Sequence, residues 1–353
     1  MVSRFDSVNA FYIQDLAAQI AAVREDQIVD YMLALALLIP RIAEVNAQIE
    51  KAVEKSAVDI RDIYTAAVDE TYNDQRFKGQ IKDLPEATLV DISKHRMAVE
   101  RATAATMRRL VAANNVSQTY QQAVNKAVIS RNSGLDNQDG LMRSTVRTIG
   151  RTGIVVTGED GKNRSIESTI TNAILDGVRD VQQYANDAIG ADLKFDAVEI
   201  SVHDDPAPDH EPIQGNIFMR AEFNKLQGHE AFVDVDGTRY PAQVRAIGEL
   251  NCRHLAFPFS TKDGVRRYSP NDLRIMRKRN KQGRMIDGKH YTLYEARQYA
   301  NRLRAERGRQ ESVLLAAQKA GDKVLEQKTK ERINAIDMRI AQINNARTPT
   351  TIS

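Results

Sequence analysis

Between residue 5 and about residue 130, apolar side chains recur at intervals of three and four, a spacing that only an α-helix gathers into one continuous stripe. Ile13, Leu16, Ile20 and Val23 open the pattern, and Ile42, Val45, Ile49, Val53, Ile60 and Ile63 continue it beyond Pro40, a residue that suits a helix start or a kink. A third helix is expected from Asp83-Leu-Pro-Glu86, with Asp83 as N-cap and Glu86 in the first turn, running through Val90, Ile92, Met97, Val99 and Met107 toward Val111. A shorter one is expected over 116–129. Tryptophan is absent and aromatics make up only 6% of the chain, which favours helices packed through Ala, Leu, Ile and Val over a β-sandwich. Stripes of this kind serve either to pack the helices on one another or to dock a partner.

The remaining chain is mixed. Residues 131–142 begin with a polar, turn-rich run that reads as a hinge, separating a helical, partner-docking region (1–130) from an α+β region (143–260). Within the latter, 157–163 is a turn cluster able to cap a short hairpin, and a helix opens at Ser165 and runs to about residue 189. Strand alternation follows at 197–203 and at 231–240, where Asp236-Gly237 is a hairpin cue. After a basic segment (261–309), a helical hairpin occupies 310–346, broken at Gly321-Asp322, and its second arm places Leu325, Ile333, Ile336, Ile340 and Ile343, with Met338, at near-heptad spacing. The tail 347–353 reads as disordered. The expected fold is mainly α: an extended N-terminal helical region, a small β-containing domain and a C-terminal helical hairpin.

Charge narrows the function classes. The net charge is only +3, yet residues 262–309 hold fifteen Lys and Arg against five Asp and Glu, leaving the remainder at −7. Such a block fits a polyanion-facing surface, and Arg266, Arg267, Arg274, Arg277, Lys278, Arg279, Lys281 and Arg284 are its candidate phosphate contacts. A solvated helical face would carry the same charges. No apolar run approaches the roughly 20 residues of a membrane span. No secretory signal is visible, and a lone cysteine cannot staple the fold, as expected of a protein made in a reducing cytoplasm.

Three of the six histidines and the only cysteine fall in two short segments, 201–215 and 251–254. Pro206, Pro208 and Pro212 exclude a continuous helix around His203 and His210, making that segment a shaped loop. Cys252 and His254 stand two apart, so in an extended strand they share a face. Imidazole and thiolate donors suit a borderline-soft ion such as zinc, and His203, His210, Cys252 and His254 supply a tetrahedral set. Spacing alone is equally met by a buried thiol and loop histidines.

These two segments resemble the C-terminal signature of the phage minor capsid protein 2 family, relatives of the Mu-F-like head-morphogenesis proteins. The likeness rests on Ser201, His203, Pro208, His210, Gln214, Gly215 and Phe218, then Asn251, Cys252, Arg253, His254, Phe257 and Pro258, and spans about residues 160–345. The chain departs from the pattern at Asp205, Pro206, Ala207 and Ile213, where the family usually has Gly, Ala, Arg and Trp, but keeps all four candidate ligands. Arg164 resembles an arginine that the family carries before the next helix, a place where a plain surface arginine also fits. The resemblance implies a non-enzymatic minor head protein inside the virion, bound to the portal protein and capsid proteins and contributing to head morphogenesis and DNA packaging or delivery. It also supports metal binding, with zinc in a structural role.

No phosphate-binding loop, dinucleotide fingerprint, nucleophile elbow or H-E-x-x-H appears. The main rival is a zinc-dependent nuclease or other DNA-processing enzyme, in which one of Glu199, Asp204, Asp205, Asp209 and Glu211 would serve as base toward a metal-bound water. Four protein ligands would close the metal to that water. An electrostatic binder without chemistry is the third class.

Overall fold

The computed structural model describes residues 2–24, 31–74, 77, 81–123, 138–157, 162–249 and 252–346. Helices dominate: α1 (Val2–Arg24), α2 (Tyr31–Tyr72), α3 (Glu86–Ala113), α4 (described over 116–123), α5 (Gln138–Thr152), α6 (Ile166–Asp192), α7 (Arg220–Gln227), α8 (Pro270–Gln282), α9 (Leu293–Lys319) and α10 (Lys323–Asn345). The mainly α expectation holds, with several boundaries moved. Pro40 neither starts nor ends a helix but lies inside α2 with an exposed ring. Asp83 closes a short 3-10 turn (Ile81–Asp83) instead of capping α3; Pro85, which has no N–H to lose, takes the entry position, and its carbonyl accepts the N–H of Thr88. The remainder of the expected 116–129 helix, the first part of the expected hinge (131–137) and the tail at 347–353 lie outside the described residues.

Two compact units share the chain. The first comprises 1–59, 104–171 and 300–345; the second comprises 60–103, 172–299 and 346–353. The 131–142 stretch falls by sequence within the first unit.

In the first unit, one face of α1 (Phe5, Tyr12, Ile13, Leu16, Ile20) is buried, as are Val45 and Ile49 of α2 and Val116 and Tyr120 of α4. The Tyr12 and Tyr120 rings meet edge to face at 5.5 Å, and the Tyr120 hydroxyl donates to Asp15 at 2.6 Å. The strands β1 (Val155–Thr157) and β2 (Asn163–Ser165) form the hairpin expected around 157–163, and Ser165 caps α6 by accepting the Ser168 N–H. α9 runs unbroken through 309–310. α10 buries Leu325, Ile333, Ile336 and Ile343, whereas Met338, grouped with that stripe by its spacing, is 73% exposed. α5 and α9 approach closely at Gly150, where an added Cβ would lie 2.5 Å from the Val313 Cα. Backbone cannot yield as a side-chain tip can, so Gly150→Ala should destabilise the protein by about 1–3 kcal/mol. An unchanged denaturation midpoint would refute that close packing.

The second unit is built on an antiparallel sheet ordered β4 (Ile217–Met219), β3 (Ala197–Ile200), β7 (Ala256–Phe259), with Val198 opposite Phe218 on one side and Pro258 on the other. Its core joins Val198, Ile200, Ile213, Phe218, Phe232, Tyr240 and Cys252. The β5 (Phe232–Val233) and β6 (Arg239–Tyr240) hairpin turns at Asp236-Gly237, where Asp234 accepts the N–H groups of Asp236 and Thr238. β7 is an edge strand whose outward groups are blocked. Gln183 both donates to the Ala256 carbonyl and accepts its N–H, each at 3.0 Å, and Pro258 has no N–H to offer.

Candidate metal centre and basic helix

Residues 201–216 leave β3 and return to β4 as a chain of turns, as the prolines require. Gly215 makes the return with φ +71, its N–H donating to the Ile200 carbonyl; a Cβ there would strike Leu273. Gln214, 2% exposed, accepts the His203 N–H at 3.0 Å, which fixes its Oε1 inward. Cys252 and His254 lead into β7, and the Ser201 N–H donates to the Leu255 carbonyl, tying the two segments together.

Three of the four candidate ligands converge. His210, Cys252 and His254 are all buried and each offers one ligand atom within 4.8 Å of the others. The Cys252 Sγ lies 3.5 Å from Nδ1 of His210 and 3.5 Å from Nδ1 of His254. On the far side of each ring a carbonyl oxygen accepts the other nitrogen's proton: Arg245 O from His210 at 2.8 Å, and Gln214 Oε1 from His254 at 3.4 Å. Both Nδ1 lone pairs therefore face the sulfur. Histidines fixed in this tautomer by a carbonyl behind them are the usual supports of a metal ligand set.

His203 stands beside this trio. Its ring meets His254 edge on at 4.4 Å, it donates to the Arg253 carbonyl, and its Nε2 is buried without a partner among the described residues. Its tautomer too leaves a lone pair free.

Electrostatics at the trio point the same way. Burial pushes the Cys252 thiol up, but the hydrogen bonds from His210 and from the backbone N–H groups of Gly248 and His254 outweigh it, and the net shift is down. Burial disfavours charge on His210, yet the neighbouring sulfur reverses the balance and raises it. His254 is pushed down to about 3 by burial and by the charges of His203, His210 and Arg245 around it. The thiolate is thus favoured at Cys252, and His254 is held neutral with its Nδ1 lone pair toward the sulfur. A buried sulfur faced by two imidazole nitrogens is a donor set that fits a metal ion.

Four of the five nearby carboxylates are engaged elsewhere, and Asp204 is exposed. Asp209 holds Arg245 through two hydrogen bonds, Asp205 pairs with Arg297, Glu211 accepts from Asn280 and Glu199 accepts the Arg267 N–H. Arg245 and its partner Asp209 support the His210 carbonyl contact; their separation of 36 residues carries no sequence signal. Asn251 lies outside the described residues, and Arg253 is exposed.

The sequence profile of the family described as Phage minor capsid protein 2 matches residues 35–343. The chain belongs to the phage minor capsid protein 2 family. No curated protein and no solved structure is similar enough to register as a match. The match begins well before residue 160, so most of the N-terminal helical region belongs to the family pattern as well. Membership makes this minor capsid protein a phage head component, found in the virion with other virion proteins, and among its described residues no helix is long and apolar enough to cross a membrane.

In this minor capsid protein seven of the eight candidate phosphate contacts divide into two groups. Arg266 is bound by both oxygens of Asp236 at 2.8 and 2.9 Å, Arg267 lies 3.8 Å from Asp74 and over the Phe257 ring, and Arg277 donates to the Pro212 carbonyl. Arg274, Lys278, Arg279 and Lys281 are exposed on α8 with no carboxylate partner among the described residues; Arg274 touches only Asn271. Arg284 starts β8 (Arg284–Ile286), paired with β9 (Lys289–Tyr291) in a hairpin that the sequence reading missed. Its cue was Asp287-Gly288, both at positive φ.

Proposed function

We propose that the protein is bound to the portal inside the phage head, where it contributes to head assembly and to packaging or delivery of the genome, with a zinc-locked second unit and a DNA-facing α8. Family membership carries the head role. The zinc reading rests on the His210, Cys252 and His254 geometry: with Zn–S of about 2.3 Å and Zn–N of about 2.0 Å, a tetrahedral S···N edge is about 3.5 Å, the separation found at both histidines. His203 is the fourth ligand, through its unpartnered Nε2. The ion's part is to hold the 201–215 loop against the entry to β7; with four of its five carboxylate neighbours engaged, Asp204 exposed and its ligands buried, the centre suits a structural role better than hydrolysis. Co-purification of the full chain with the portal protein of the same phage, and its presence in purified heads, tests the placement. Heads that contain the chain but release it independently of the portal would overturn it.

For DNA, the four unpaired cations of α8 supply the argument. Changing Arg274, Lys278, Arg279 and Lys281 together to Gln should reduce the salt slope of duplex binding by roughly 0.9 for each phosphate that is no longer neutralised, whatever the DNA sequence. Arg266→Gln should leave the slope unchanged, since that charge is already neutralised by Asp236. Equal slopes in all three proteins would make α8 a solvated face.

A further inference from the structure

A cleft of about 750 Å³ in the second unit opens beside β7. Its floor is aromatic, from Phe195, Phe257 and Phe259, and its walls come from the end of α2, the middle of α6 and the loop 260–267. Asn186 lines it at 2% exposure. The Asn186 Nδ2 donates to the Gln182 carbonyl at 2.9 Å, while its Oδ1 has no partner among the described residues. A buried amide oxygen left so calls for a donor from outside.

The charges around the cleft ask for the same thing. Glu70, Asp74 and Asp263 line it. Of the two arginines in the described lining, Arg266 is already neutralised by Asp236, and Arg267 lies 3.8 Å from Asp74, so among the described lining residues carboxylates outnumber unpaired cations. Glu70 and Asp263 each accept a hydrogen bond from one neutral neighbour, Gln182 and Ser260, and a carboxylate has room for several. At the rim Val265 is 84% exposed, where a macromolecule seated over the mouth would touch it. Strand addition is closed off by Gln183 and Pro258, so recognition must come through a side chain.

We infer that this cleft receives an arginine or lysine side chain from another protein of the head, its alkyl stem over the phenylalanines and its cationic head at Asn186 and the carboxylates. The inference rests on the head-protein reading. Placing a photo-crosslinker at the rim by Val265→p-benzoyl-phenylalanine, in the full chain within assembled heads, should give one crosslinked virion protein, mapped to a segment containing Arg or Lys. A synthetic peptide of that segment should bind the purified chain, and about tenfold less tightly after its cation is replaced by norleucine or after Asn186→Leu in the chain. Asn186→Leu removes an acceptor that makes no internal bond and one donor, whose acceptor, the Gln182 carbonyl, lies within α6 and keeps its place in the helix ladder, so a folded variant is expected, checked by its melting curve. Crosslinks to DNA, to a second copy of this chain or to a segment without a cation would overturn the inference, as would a peptide whose binding ignores both changes. If the chain is in heads and Val265 crosslinks nothing, the cleft assignment fails and the head role stands; if it is missing from heads, both fail.

Discussion

Purified protein should contain about one equivalent of zinc, and Cys252→Ser should lose it together with more than about 4 kcal/mol of stability, because in a closed site the binding free energy is folding free energy. The size of the loss separates two accounts of the same contacts. If Cys252 merely exchanges a proton with His210, replacing sulfur by oxygen changes one buried hydrogen bond, worth about 1 kcal/mol. Two backbone N–H groups already donate to this sulfur and two imidazole nitrogens face it, an environment built for a thiolate with a cation beside it. Chelation of the wild-type protein should therefore lower its melting temperature to that of Cys252→Ser and leave the variant unmoved. Gln214→Leu, which removes the acceptor behind His254, should weaken metal binding roughly 10–100-fold without abolishing it. His203→Ala distinguishes the fourth ligand: retention of wild-type affinity would remove His203 from the set. Metal-free protein of full stability would remove the metal.

The trio was legible because its chemistry is rare in this chain. With one cysteine and six histidines, two short segments that hold four of these seven residues stand out, and the prolines between His203 and His210 rule out the helix that would have separated them. The supporting groups were not legible in the same way. Arg245 acts on His210 through its backbone carbonyl, an atom every residue has. Local rules also failed where one signal masked another. The Asp287-Gly288 turn has the cue that was read correctly at Asp236-Gly237, but it sits among so many cations that charge was read in place of turn chemistry. The same block hid the capping box at Ser269, whose hydroxyl accepts the Asp272 N–H while Asp272 accepts the Ser269 N–H, and with it the start of α8. The grouping of 1–59 with 300–345 depends on contacts across most of the chain, for which periodicity holds no information.

Gly283→Ala should be the most damaging glycine substitution in the second unit, costing about 3–5 kcal/mol, while Gly288→Ala, five residues on, should cost only about 1–2 kcal/mol. Both glycines have positive φ, +53 and +73, so both variants carry the strain of a side chain in a region that L-residues avoid. They differ in space. At Gly288, the tip of the β8–β9 turn, nothing lies within 4 Å of an added Cβ. At Gly283 the Cβ would fall on the Tyr291 carbonyl oxygen, well inside contact distance, and within 2.9 Å of the Thr292 Cα. The ψ of −140° there turns the chain from the end of α8 straight into β8, which pairs Arg284 with Tyr291, so that carbonyl cannot retreat without opening the hairpin. Thr292 also begins α9, its hydroxyl accepting the Glu295 N–H. A shift at Gly283 therefore spreads to the helix on each side. At about 2–4 °C for each kcal/mol in a unit of this size, the Gly283→Ala melting temperature should fall by roughly 10 °C, and the duplex binding proposed for α8 should weaken with it as Arg279 and Lys281 lose their fixed positions. Similar melting temperatures for the two variants would mean that backbone strain alone sets the cost and that the α8–β8 junction has room to spare.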